Sequence, residues 1–305
     1  IILSGTGSDG SRGIREISAA GGLVIDKSEE TAKFDGMPKS AIETGVVDIC
    51  LPPSEIGSTL AQYAENPTPS ALAEKPGPPL DETAMAKLLR LLRDAYGIDF
   101  SHYKQTTVNR RIERRLMLNR TTDIENYAER LATDSDELNA LYRDLLIGVT
   151  QFFRDREAFD QLDQQVIPEL LQKLSADDEI RVWVAGCATG EEAYSLAILL
   201  HEHLTRLRRP LNVKIFATDV HQASLDIAGA GCYEREQLTD VSSERLKRYF
   251  SPKGSLYQVS AELRQMIVFA QHNVLKDAPF TRLNLVSCRN LLIYLQPLAQ
   301  RKALS

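Results

Sequence analysis

Apolar and polar positions alternate along this chain in two rhythms, and the switch between them divides it. From 180 onward, short β-branched runs end in small or polar turns and give way to helical periodicity: Val182, Trp183 and Val184, then Val213–Thr218, then Leu283–Ser287. Helices are expected at 157–174, 191–205, 222–229 and 242–250. Strands alternating with helices predict a parallel, doubly wound α/β sheet. Within it, residues 231–272 hold alternating runs at 256–259 and 266–270, which predict a small antiparallel insertion. Residues 81–150 show helical periodicity alone, over 82–96, 105–119, 123–132 and 135–148, with Asp81 placed as an N-cap. Residues 1–63 read as a separate α/β piece with strands at 1–3, 23–25 and 46–50. Between these regions, 64–80 carries five prolines, a density that neither a helix nor a central strand tolerates, and so reads as a linker.

Composition narrows the function. With 305 residues, 43% of them apolar and 26% charged, the chain has room for several soluble domains. A net charge of −6 gives no electrostatic footprint for nucleic acid. The four cysteines (50, 187, 232, 288) are widely spaced, which speaks against zinc or a disulfide framework and fits a reducing cytosol. The histidines show no ligand spacing, so no metal is expected. No apolar run reaches the length of a membrane span, and no signal peptide is apparent. The start at Ile1 and the end at Ser305, each inside a regular pattern, suggest a fragment of a longer protein.

The densest chemistry lies in V-W-V-A-G-C-A-T-G-E-E-A-Y-S, residues 182–195. A strand that stops at a glycine loop and turns into a helix builds a crevice above the sheet. Glu191 and Glu192 at the helix start repel a pyrophosphate, which wants bare N–H groups there. They also occupy the third-glycine region of the dinucleotide fingerprint, so a nicotinamide site is disfavoured. A neutral or cationic ligand with hydroxyls suits the loop. Other polar groups fall at expected strand ends: Asp219, Asn273, and Arg289 with Asn290. Taken singly, Asp219 reads equally as a ribose ligand or a turn residue, both asparagines as turn formers, and Tyr294 as a core residue.

Together, T-x-F-F-R at 150–154, the A-x-x-T-G-E-E-x-Y-S loop, A-T-D at 217–219, H-N-V-L at 272–275 and S-C-R-N-L-L-I-Y at 287–294 resemble the chemotaxis receptor methyltransferases, the CheR family. The resemblance implies a Rossmann-like methyltransferase domain over 151–305, with its insertion at 231–272, behind a helical substrate-docking domain at 81–150. It implies S-adenosylmethionine as cofactor and methyl-ester formation on receptor glutamates. Carried over by position, Thr150, Arg154, Glu192, Asp219, Asn273, Val274, Arg289 and Asn290 would line the cofactor pocket. Arg154 and Tyr294 would stand nearest the transferring methyl. The family usually has Asn two residues before the threonine, where this chain has Gly148.

Arg110, Arg111, Arg114 and Arg115 share a helix face, and 104–120 holds six basic residues against Glu113. With the resemblance, this face is expected to dock the acidic methylation helices of chemoreceptors. The insertion around 251–264 looks short for gripping a receptor's C-terminal peptide. G-T-G-S-D-G at 5–10 and F-D-G-M-P-K-S-A-I at 34–42 resemble the end of the partner methylesterase, the CheB family, with Asp9 at the aspartate of its Ser/His/Asp triad. Without serine and histidine, no esterase activity is expected. The expectation is a cytoplasmic, fused methylesterase–methyltransferase signalling protein with no membrane insertion. A regulatory binding module that keeps the fold and loses catalysis is the alternative.

Overall fold

The computed structural model describes residues 1–19, 23–44, 47–65, 82–119, 121, 123–146, 148, 150–175, 178–208 and 211–304. They form two units, 1–149 with 294–298, and 150–293 with 299–305. The Pro-rich linker and Asp81 lie largely or wholly outside the described residues.

The first unit begins with an α/β piece. Helix α1 (Ser11–Ala19), strand β1 (Ile25–Lys27), α2 (Gly36–Glu43), β2 (Ile49–Leu51) and α3 (Pro53–Glu65) follow in order. β1 and β2 run parallel with Ile25 opposite Ile49, and Ile2 adds a bridge to Asp26. Two small cores form, one of Ile2, Ile14, Val24 and Ala41, the other of Ile25, Leu51 and Ile56. Then come four helices, α4 (Glu82–Tyr96), α5 (Gln105–Leu118), α6 (Ile124–Leu131) and α7 (Ser135–Leu145). Their apolar stripes are buried, as at Leu88 and Leu92, Val108 and Ile112, and Leu141 and Leu145. Asp123 and Asp134 start α6 and α7 as N-caps, accepting from Glu125 N at 2.8 Å and Glu137 N at 3.0 Å.

The second unit opens with α8 (Arg156–Gln161), a wide π turn at Leu162–Val166, and α9 (Ile167–Gln172). β3 (Glu179–Ala185), α10 (Glu191–Leu207), β4 (Asn212–Asp219) and α11 (Gln222–Ala230) follow. Next are β5 (Cys232–Tyr233), α12 (Ser243–Tyr249), β6 (Phe250–Lys253), β7 (Leu256–Val259) and α13 (Ala261–Gln265). β8 (Ile267–Gln271), β9 (Leu285–Ser287) and α14 (Pro297–Leu304) complete the chain.

The main sheet is parallel, in the order β8-β4-β3-β9. Strand order turns back at β3: the chain moves outward through β4 and β8, then returns on the other side as β9. That reversal makes a crevice at the carboxyl ends of β3 and β9. One face of the sheet (Ile180, Val182, Val184, Val213, Ile215, Ala217) is buried in the core with Leu196, Ile198 and Leu199 of α10. On the alternate positions, Phe280 stacks on Phe216 at 4.8 Å and meets Trp183 at 5.3 Å, while Val268 and Val286 stay exposed.

One expectation is corrected here. The antiparallel insertion is smaller than 231–272: its sheet, β5-β7-β6, spans 232–259. Residues 267–271 instead pair in parallel with β4, Ile267 opposite Ile215. An alternating run reports a half-exposed strand and not its direction, so the pattern could not separate β8 from the insertion.

Candidate functional site

The loop after β3 is pulled onto the end of β4. Both Gly186 N and Cys187 N donate to Thr218 O, at 2.8 and 2.9 Å. Gly186 (φ 72°) and Gly190 (φ 94°) hold left-handed conformations that favour glycine. Their freedom serves the protein's own packing. A Cβ on Gly190 would stand 2.8 Å from Ala228 Cβ, and one on Gly186 3.2 Å from Leu291 Cδ2. Asp219 fixes the loop from below: Oδ2 accepts from Ala188 N at 2.9 Å and Oδ1 from His221 N at 3.0 Å. Each carboxylate oxygen keeps a lone pair for a further donor.

Glu191 and Glu192 behave differently. Glu191 is buried and folds back to Thr189 Oγ1, at 2.7 and 2.9 Å. Glu192 reaches across to β9, where Ser287 Oγ donates to Oε1 at 2.6 Å. Arg289 Nη1 lies 3.6 Å from Oε2. Burial pushes the Glu192 carboxyl above its ordinary value; the Ser287 hydroxyl and the charges of Arg289 and Arg154 pull part of the way back. Arg289 Nη1 is buried without a hydrogen-bond acceptor. The half-buried Glu192 carboxylate and the Arg289 guanidinium therefore lie side by side at the crevice.

The T-x-F-F-R segment is tied to the same place. Phe153 N donates to Ser195 Oγ at 3.0 Å, and Arg289 Nη2 donates to Arg154 O and Asp155 Oδ2, both at 2.7 Å. Phe153 (φ 52°), Asp155 (59°), Ala188 (45°) and Asn290 (56°) all hold positive φ. Such conformations persist only where the surroundings over-determine them. Thr150 and Val274 are half-buried. Asn273 Oδ1 accepts from Leu275 N at 2.9 Å, the turn-forming role, directly past the end of β8. Cys187 and Cys288 are neutral thiols, each pushed up by burial, so neither is a poised nucleophile.

The remaining expected residues belong to the first unit. Tyr294 belongs to the first unit, where its carbonyl accepts from Lys104 N at 2.8 Å. Asp9 is exposed in a turn before α1. The arginine face of α5 is a correction. Arg111 and Arg114 are 2% and 3% exposed, Arg114 pairs with Asp48 and with Asp144 at 3.4 Å, and Arg115 is bound to Glu137. Arg111 and Arg115 each follow a core position, Val108 and Ile112, by three residues, which turns them only about 60° from the apolar stripe. Shared spacing showed a common face but not that it met solvent. The side chain of Arg110 lies outside the described residues. The structure also adds residues the sequence reading passed over: Ser287 and Ser195, which stood inside quoted motifs, and Phe159, which no motif marked.

The SAM-binding domain of CheR methyltransferase matches residues 148–305, just over half of the chain. The chain belongs to the CheR methyltransferase family. The all-alpha domain of CheR methyltransferase matches 83–146, and CheB methylesterase matches 1–60. An uncharacterised 104.1 kDa protein of Rhodobacter capsulatus is 42% identical across the whole of this chain, which spans only 34% of that relative's length. A chemotaxis protein methyltransferase of Listeria innocua is 34% identical over 67% of this chain and 76% of its own length. That of Borreliella burgdorferi is 29% identical over 69% and 77%. The cofactor of the CheR domain is S-adenosylmethionine, and the donor set fits it. Asp219 and Glu192 can accept from ribose hydroxyls or an ammonium, and Arg289 Nη1, paired with Glu192 at 3.6 Å but without a hydrogen-bond acceptor, can meet a carboxylate. Among the described residues there is no cluster suited to a metal ion, and no helix is long and apolar enough to cross a membrane.

Proposed function

We propose that this chain methylates the side-chain carboxylates of chemoreceptor glutamates, forming methyl esters, in the cytoplasm and as part of a fused methylesterase–methyltransferase protein. The observation that carries this reading is the Glu192–Ser287–Arg289 arrangement at the carboxyl end of β9, with Asp219 at the carboxyl end of β4 holding the loop after β3. In this reading Thr150, Glu192, Asp219, Asn273, Val274, Arg289 and Asn290 hold the cofactor, and Arg154 with Tyr294 face the reacting end. S-adenosylmethionine supplies an electrophilic methyl on a sulfonium. A receptor glutamate is already ionised at neutral pH, so the chain need not supply a general base. Its work is to align the incoming oxygen and exclude water while opposite charges partly cancel. Arg154 orients the carboxylate and Tyr294 donates a hydrogen bond. The buried Cys187 and half-buried Cys288 thiols, both pushed up by burial, accord with a mechanism that uses no protein nucleophile.

Acidic receptor helices remain the proposed partners, but with Arg111 and Arg114 buried, the docking charge is not assigned to them.

The test is transfer of radiolabelled methyl from S-adenosylmethionine to receptor-containing membranes, with base-labile label as the mark of an ester, beside calorimetric titration of the cofactor. Cofactor binding with ester formation is expected. Binding without transfer would favour a regulatory module, and no binding would overturn the reading.

A further inference from the structure

A row of side chains from four segments of the second unit runs from the insertion to the cofactor carboxylate. Arg245, on α12, has its Cζ 4.7 Å from the centroid of the Phe153 ring. Phe153 meets Phe159 edge to face at 5.4 Å. On Phe159 lies Arg289, with Cζ 5.1 Å from the ring centroid, and Arg289 faces Glu192. The far end of the row is clamped. Arg245 Nη2 and Nε donate to Glu202 of α10 at 2.7 and 3.1 Å, and Nη2 is 3.8 Å from Asp163. The other oxygen of Asp163 meets His203 Nε2 at 2.6 Å. Asp163 sits in the π turn, an irregularity that recurs at functional sites.

This row acts on a strained point. Phe153 holds φ 52°, unfavourable for an aromatic residue, and is held by burial in the core, by the Ser195 bond at its N–H and by the two ring contacts. The next residue's carbonyl is the one that Arg289 holds. We infer that Arg245 is a positioning residue for methyl transfer, holding Phe153 through the stack so that Arg154 O stays on Arg289 and Arg289 stays beside Glu192. The catalytic part of this rests on the proposed methylation. Because α12 runs directly into β6, the insertion sheet and the T-x-F-F-R segment become one mechanical unit. Arginine is the residue required, since its flat guanidinium stacks on a ring while its edge binds a carboxylate; lysine keeps the charge and loses the plane.

The experiment compares Arg245→Lys and Arg245→Met with Arg235→Ala. Arg235 lies on the same insertion, exposed over Tyr257 at 5.7 Å, and outside the row. Amide hydrogen exchange at Phe153 in the cofactor-free protein is the first readout; melting temperature, kcat and the KM for S-adenosylmethionine are the others. Both Arg245 variants are expected to speed exchange at Phe153 and to lower kcat, each about tenfold, with Arg235→Ala unchanged. Arg245→Lys, which keeps its charge beside Glu202, is expected to melt near the wild-type temperature, separating the stack from general stability. Unchanged exchange at Phe153 in both variants, or a Lys variant with wild-type exchange and turnover, overturns the inference. A wild type that never methylates receptor removes the proposed function, and the exchange result then decides the inference by itself.

Discussion

Arg289 and Arg115 each face a buried glutamate, one in each unit, and the two pairs are built differently. Around Glu137 the bonding is complete. Arg115 donates from Nε and Nη2 at 3.0 and 2.5 Å, Tyr127 Oη at 2.6 Å and Asn119 Nδ2 at 2.8 Å. The Tyr127 hydroxyl is pushed far up by burial and by this carboxylate, so it stays a donor. Around Glu192, among the described residues, only Ser287 is at hydrogen-bond distance, Arg289 stands off at 3.6 Å, and one guanidinium nitrogen has no hydrogen-bond acceptor. A carboxylate with both oxygens hydrogen-bonded and four donors around it ties helices together. One left partly engaged, beside a spare donor, can still exchange partners with a ligand.

The contrast breaks most sharply at Arg154. Replacing it with alanine is expected to lower methyl transfer by about 10³-fold, roughly 4 kcal/mol of barrier, with circular dichroism and melting temperature unchanged. Activity within tenfold of wild type would remove its role. Arg115→Ala should do the reverse. It strands Glu137 in the interior and costs about 3 kcal/mol of stability in urea denaturation, with cofactor affinity unaltered. A loss under about 1 kcal/mol would mean that the complete bonding around Glu137 carries little weight.

The next effect is a pH profile. Burial raises the Glu192 carboxyl above its usual 4.5. If cofactor binding needs the anion, affinity is level above that raised pKa and falls as pH drops through it. Ser287→Ala removes a donor that stabilises the anion, so the fall should begin at higher pH, with affinity near neutrality about tenfold weaker. Calorimetry across pH checks this, and coincident profiles would contradict it. The smallest effect belongs to Gly148→Asn. Among the described residues only Leu146 O lies near a Cβ there, at 4.0 Å, which leaves room for the family's usual residue. It should tighten S-adenosylmethionine about threefold; an unchanged or weaker Kd would separate Gly148 from the cofactor.

Much of the second unit was legible because parallel strands declare themselves: apolar runs such as 182–185 end in turns where ligands bind. Asp219 could be placed at a strand end, and Glu192 at a helix start, from order alone. Partners could not. That Glu192 meets Ser287 depends on β9 returning beside β3, a pairing across 95 residues that local pattern does not encode. The α5 arginines failed for a related reason. Periodicity fixes which residues share a face, and tertiary packing chooses what covers it. β8 was misassigned because alternation is the same for either strand direction.

The chain has a single tryptophan, and its place gives it a use. The indole of Trp183 donates to Thr218, next to Asp219, and packs edge-on against His272, the neighbour of Asn273. Its emission is therefore a built-in optical gauge of the crevice floor, able to follow cofactor arrival in a stopped-flow cell without any attached dye.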